Sequence, residues 1–328
     1  MSTTEQDELP VTADETDSTL GEETLSDDTT IGSSLEQYPE ENGRKYHAYK
    51  DGKYLFPNDE HERHRLDHQH ELSLEILEGD LYVSPVDSPS EILDVGTGTG
   101  NWAIEAADRH PQARVLGVDL SPIQPTLVPP NCHFQVWDFE EPWGFERQFD
   151  LIHGRLLIGS VSDPRELLRQ AYESLAPGGW LEIQDVCPPK SDDDSIPPDG
   201  PYRRWIGTWC QALRAGGRDP FLAARYGDLF REAGFVDVRV ERFRVPQNNW
   251  PADPDYKTLG TLNCINILAG IEGLTLRPLT KFLGWTLQEV QVLVARARPD
   301  VKDTRIHAYW PVYVTCGQKP TTDRDRDG

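Results

Sequence analysis

The sequence is poor in basic residues, in long apolar runs and in any regular pattern of cysteine. Lys and Arg number 32 against 56 Asp and Glu, giving a net charge of −24 over 328 residues. The basic clusters are as small as Arg63-His64-Arg65 and Arg203-Arg204. Nucleic-acid phosphates are held by clustered Lys and Arg, so nucleic acid is not expected as the main partner, and both clusters read as solvated helix faces. No segment approaches the roughly 18 apolar residues of a membrane span. The acidic N-terminus has no apolar run of the kind a signal peptide needs, so neither a membrane nor export is expected. Cys132, Cys187, Cys210, Cys264 and Cys316 are odd in number and widely scattered. That pattern fits reduced thiols in the cytoplasm or nucleus and supplies no metal site. Only 37% of the residues are hydrophobic, so part of the chain is expected to carry no core.

Residues 1–43 are that part: they hold thirteen Asp and Glu and no Lys or Arg. Such a stretch cannot bury enough apolar surface to offset its ordering entropy and reads as a disordered acidic tail. Residues 321–328 read as a second, short tail. Between them, residues 44–90 read as an N-terminal lid segment. It holds a helix over 59–76 that starts at Asn58/Asp59 and carries an apolar face of Leu66, Leu72, Leu74 and Ile76.

From Glu91 strand and helix patterns alternate. Strands are expected at 91–95, 114–118, 133–137, 149–153 and 180–185, with helices at 101–109 and 164–175, the second broken by Pro177-Gly178-Gly179. A proline- and acid-rich connector (187–201), a helical region to Ala233, a strand at 235–243, a helical insertion within about 247–300 and a last strand at 309–316 complete the pattern. The fold class is therefore α/β, a Rossmann-like, mostly parallel seven-stranded sheet with helices on both faces, filling 91–320. An insertion of that length between two strands is longer than the connection requires, and it is expected to cap the active site.

The first strand runs into Asp94-Val-Gly96-Thr97-Gly98-Thr-Gly100-Asn101. A dinucleotide fingerprint, Gly-x-Gly-x-x-Gly, needs its third glycine at 101, but the glycine comes one residue early. In an open parallel sheet ligands bind at the carboxyl ends of the strands. Those ends here carry Asp94 and the glycine turn, Asp119-Leu120, Asp138-Phe139, and His153-Gly-Arg155.

The form Asp-x-Gly-x-Gly-x-Gly, together with Pro177-Gly-Gly before the fifth strand, resembles the class I S-adenosylmethionine-dependent methyltransferases. Asn42-Gly-Arg-x-Tyr46-His47, Gly52-Lys-Tyr-x-x-Pro-Asn-Asp59, Leu120-Ser-Pro-Ile-Gln-Pro125, Glu141-Pro-Trp143 and Ile152-His-Gly-Arg155 resemble the LaeA-like fungal group within it. The resemblance covers about 38–320 and implies S-adenosyl-L-methionine as cofactor. It places the cofactor against Asp94, Gly96, Thr97, Gly98, Gly100, Asp119, Leu120, Asp138 and Phe139. The amides of the glycine turn would receive the amino-acid end, Asp119 the ribose hydroxyls, and Asp138 and Phe139 the adenine. His153 is the candidate general base by position, with Tyr46 and His47 as candidates if the lid folds over the cleft. Arg155 is the candidate partner for an anionic substrate. The resemblance implies methylation of a small molecule in fungal secondary metabolism; the alternative it also carries is a nuclear regulator working through a velvet-type protein partner.

Overall fold

A computed structural model describes residues 38–321. A hairpin of β1 (Glu40–Glu41) and β2 (Arg44–Lys45) leads into helix α1 (Glu60–Ile76). Asn42 and Gly43 turn that hairpin at φ 54° and 76°, the pair of left-handed residues that a tight hairpin turn demands. Residues 38–43 thus belong to the fold, not to the acidic tail; the rest of that expected tail, and 322–328 of the C-terminal one, lie outside the described residues. Asp59 caps α1 by accepting from the Glu62 amide, satisfying one of the donors left open in a first helical turn.

The central sheet is made of β3 (Glu91–Val95), β4 (Arg114–Asp119), β5 (Cys132–Val136), β6 (Phe149–Arg155), β7 (Leu175–Val186), β8 (Val236–Pro246) and β9 (Tyr309–Gln318). Their order is β5-β4-β3-β6-β7-β9-β8, with only β9 antiparallel to its neighbours. The chain fills one side of β3 and then returns to start the other side at β6, so strand order reverses between those two. Alternate residues of the strands face opposite layers. Ile92, Val115 and Leu151 pack with Trp102, Ala103 and Ala106 of α2 (Asn101–Arg109). Leu93, Val95 and Ile152 pack with Leu167, Leu168 and Ala171 of α3 (Pro164–Ser174). The sheet, with helices on both faces, is the fold class expected from the strand and helix pattern.

Two local readings are corrected. Pro177-Gly-Gly179 does not break a helix: α3 ends at Ser174 and β7 begins at Leu175. A Cβ on Gly179 would stand 2.8 Å from the Phe149 carbonyl, so the glycine permits the close approach of β7 to β6. The other concerns membrane-spanning length. Beyond α4 (Pro201–Ala215) and α5 (Tyr226–Glu232), the insertion forms α6 (Pro254–Leu283) and α7 (Leu287–Lys302). By length and composition α6 is apolar enough to cross a bilayer. It is instead a core helix, packed against α1, α4, α7 and β8, with a buried Arg277 paired to Glu41 and Asp51. Trp205, Trp209, Ile271, Val290 and Val294 form the centre of this helical layer.

Candidate active site

The reversal between β3 and β6 opens a cleft at the strand ends. The glycine turn forms its floor. Gly96, Gly98 and Gly100 have φ of 69°, 57° and 84°, values that only glycine adopts freely. A Cβ on Gly100 would meet the Phe134 ring at 2.5 Å; this glycine seats the turn on β5 and does not line the cleft. Asp94, Gly96, Thr97, Gly98, Asp119 and Leu120 do line it, as do Asp138, Phe139, His153 and Arg155.

Four amides of the turn already have partners. Gly96 and Thr97 both donate to the Val118 carbonyl, Gly100 donates to Thr97 O, and Gly98 donates to Asp119 Oδ2 at 2.9 Å. Asp119 also accepts from the Ser121 amide. Burial pushes its carboxyl up to about 6, against the opposing pull of the Ser121, Gly98 and Leu120 amides, leaving an acceptor at the cleft wall whose ionised form gains from any further donor.

Arg155 carries the unbalanced charge. Its guanidinium donates to His70 Nδ1 at 2.9 Å, and the His70 Nε2–H donates to Glu105 Oε2 at 2.8 Å. Among the described residues it forms no ion pair, although Asp94 and Glu105 act on it from farther off, and burial lowers it to about 10. Burial and the neighbouring Arg155 charge also lower His70, which stays neutral and can accept. A buried guanidinium with only a neutral partner is costly unless an anion joins it.

His153 is held in place. It is fully buried, donates its Nδ1–H to Asp94 Oδ1 at 2.7 Å, and lies flat on Trp102 with centroids 3.7 Å apart. Thr97 Oγ1 donates to the other Asp94 oxygen at 2.6 Å. Asp94 is thereby fixed from two sides. Tyr46 and His47 do not reach the cleft. The Tyr46 ring is buried under the Arg277 guanidinium, 3.9 Å away, and burial raises its hydroxyl to about 12. His47 Nε2 sits 3.1 Å from the Lys50 carbonyl and braces the lid turn. Neither is placed to move a proton at the strand ends.

The lid contributes other groups instead. Lys53 and Lys50 reach Asp138 Oδ2 at 2.8 and 3.2 Å. Burial works to raise the Asp138 carboxyl, but Lys53, the Glu140 amide and Lys50 outweigh it and hold it below its ordinary value. Tyr54 from the lid and Leu66, Gln69 and His70 from α1 close the near wall. The residues missed in the sequence are these lid and α1 side chains. The run His61-Glu-Arg-His-Arg-Leu-Asp-His-Gln-His70 held a signal, since histidines beside acids on one helix are a source of fixed donors. Arg65 of that run is no solvated charge: it is buried and paired to Glu62 at 2.6 Å. No residue of the insertion lines this cleft.

A family model described as a methyltransferase domain matches residues 63–240, which hold the glycine turn, the acids at the strand ends and Arg155. The chain belongs to that family. It is 40% identical over 301 residues to the methyltransferase pytC of Aspergillus terreus, covering 91% of this chain and 93% of that one. It is 35% identical over 307 residues to the protein-methionine methyltransferase laeA of Emericella nidulans, covering 92% and 81%. It is 36% identical over 304 residues to the secondary metabolism regulator laeA of Monascus pilosus, covering 89% and 82%. This methyltransferase is thus a member of the LaeA-like group, and its cofactor is S-adenosylmethionine.

The cleft fits that cofactor. Arg155 offers a buried cation for the amino-acid carboxylate and Asp119 a buried acceptor for ribose hydroxyls, while the glycine turn keeps side chains out of the floor. When bound, the cofactor supplies an activated methyl carbon; the chain has to orient it, present the acceptor and keep water out.

Proposed function

We propose that the protein methylates a small molecule in fungal secondary metabolism. The observation that carries this is the closure of the cleft by the lid. Residues 46–58 are tied down at Asp138 by Lys50 and Lys53, at Arg277 through Asp51, and at Asn58, whose Nδ2 donates to Ser121 Oγ. An acceptor that reaches the methyl carbon under such a cover is small. The naming of relatives as methyltransferases of this group supports the same reading.

In this reading Arg155 holds the cofactor carboxylate and not a substrate anion. Asp119 holds the ribose. Asp138 becomes available to the adenine amino group once a lysine gives way, with Phe139 as the ring beside it. His153 is a positioning residue: its Nδ1–H fixes Asp94, which in turn holds Thr97 at the turn. Its Nε2 has no protein partner among the described residues and lies at the cleft, so it is also the base available to an acceptor that must lose a proton; the rest of the gain comes from alignment and exclusion of water.

A second reading is favoured by the likeness to laeA proteins named as regulators and as a protein-methionine methyltransferase. There the chain acts in the nucleus, with a velvet-type protein as partner, and modifies a protein. Labelled-methyl transfer from S-adenosylmethionine into an extract of the producing fungus separates the two. Label in the small-molecule fraction is the expected result. Label confined to protein supports the second reading, and label in neither overturns both.

A further inference from the structure

Next to the cofactor cleft lies a second cavity, enclosed between α1, α4, α6 and the ends of β7, β8 and β9. The two share Tyr54, Leu66, Gln69 and Leu156, which form a neck between them. The cavity has a volume of about 110 Å³. Its walls are the residues that make the centre of the helical layer: Trp205, Trp209, Trp310, Ile267 and Ile271. Protein interiors are packed as densely as organic crystals. A void several times what one water needs, lined by that core's largest side chains, is a built space.

The lining is uncharged in sum. Arg65, its one basic side chain, is neutralised by Glu62 and also donates to Asn266 Oδ1 at 3.0 Å. Asn263 Nδ2 is spent on the Pro246 carbonyl. Asn266 Nδ2 donates to Gln69 Oε1 at 2.7 Å. That last bond uses the carbonyl end of the Gln69 amide, and its NH2 end has no protein partner among the described residues. Gln69 lines both cavities, so this donor stands at the neck. The Trp205 and Trp209 rings lie parallel, 5.8 Å between centroids, and leave a flat-sided wall suited to a planar ring.

We infer that this chamber is the acceptor pocket, and that it takes an uncharged, planar, ring-containing small molecule whose oxygen is received by the Gln69 amide at the neck. The inference rests on reading the neighbouring cleft as the methyl-donor site. An anion is disfavoured because Arg65 is already paired, and a flexible polar chain because nearly every other lining group is apolar. The insertion thus serves the acceptor through α6 and leaves the cofactor to the strand ends.

The test uses the full-length chain and prodan, an uncharged naphthyl ketone whose emission rises in apolar surroundings. Saturable one-site prodan binding is expected, and saturating S-adenosylhomocysteine should leave it in place. Ile271→Trp, which fills the chamber, should weaken prodan about tenfold or more, with S-adenosylhomocysteine affinity within twofold. Val312→Phe, on the strand side of the wall, should act in the same direction and covers the case in which Ile271→Trp does not fold. The inference is overturned if the wild-type chain does not bind prodan, if S-adenosylhomocysteine displaces it, or if neither folded variant changes it. Failure of the wild-type chain to bind S-adenosylhomocysteine, with prodan binding as expected, would instead overturn the donor-site reading and leave the chamber standing.

Discussion

The cofactor cleft and the chamber beside it are built in opposite ways. The cleft comes from short motifs at the ends of β3, β4, β5 and β6, each a few residues long and each polar. The chamber comes from single apolar residues on α1, α4, α6 and three strand ends, spread from Tyr54 to Val312. The difference teaches how the two partners of a transfer reaction are specified. A shared donor needs fixed charges at a few backbone positions, whereas an acceptor of particular shape needs a volume, which many residues define and none signals alone.

Breaking the cleft should be expensive and leave the chamber intact. Arg155→Leu removes the buried guanidinium of the cleft. S-adenosylhomocysteine affinity by calorimetry should fall by about 2–5 kcal/mol, the usual loss when one partner of a buried charge pair is removed, while prodan affinity holds. Asp119→Ala should cost about 1–3 kcal/mol through its lost acceptor. The wild-type pH dependence has a definite sign. The Asp119 carboxyl is raised to about 6 in the free protein, and ribose hydroxyls donate to its ionised form. Cofactor affinity should therefore be full above about pH 7 and weaken as pH falls through 6; Asp119→Ala should lose that dependence. In the unliganded protein the sign for stability is the reverse. A raised carboxyl contributes stability that is present at low pH and lost as pH rises through about 6. The smallest effect is expected at the lid: Lys53→Ala removes one of two lysines on Asp138, a partly exposed pair, and should change cofactor affinity by less than about 1 kcal/mol.

The same contrast explains what was legible beforehand. The strands alternate and end in Asp94, Asp119, Asp138 and Arg155, so sheet and cleft could be read from period and position. The roles within the cleft were less legible, because they depend on bonds made at a distance in sequence. The Gly96, Thr97 and Gly98 amides are consumed by Val118 and Asp119, His153 is fixed by Asp94 and Trp102, and Arg155 is met by His70 from a helix 85 positions away. Tyr46 and His47 read as cleft candidates because they lie in the lid segment, yet Arg277, more than two hundred positions on, draws Tyr46 the other way. The chamber had no local signature at all: Trp205, Ile271 and Trp310 look like any core residues until their side chains are seen to surround a space.

The most direct measurement pairs two readouts on one variant. For folded Ile271→Trp, methyl transfer into the small-molecule fraction should fall at least tenfold while the calorimetric Kd for S-adenosylhomocysteine stays within twofold of wild type, as separate donor and acceptor spaces require. Transfer at the wild-type rate, or a loss of cofactor affinity in step with transfer, would contradict that separation.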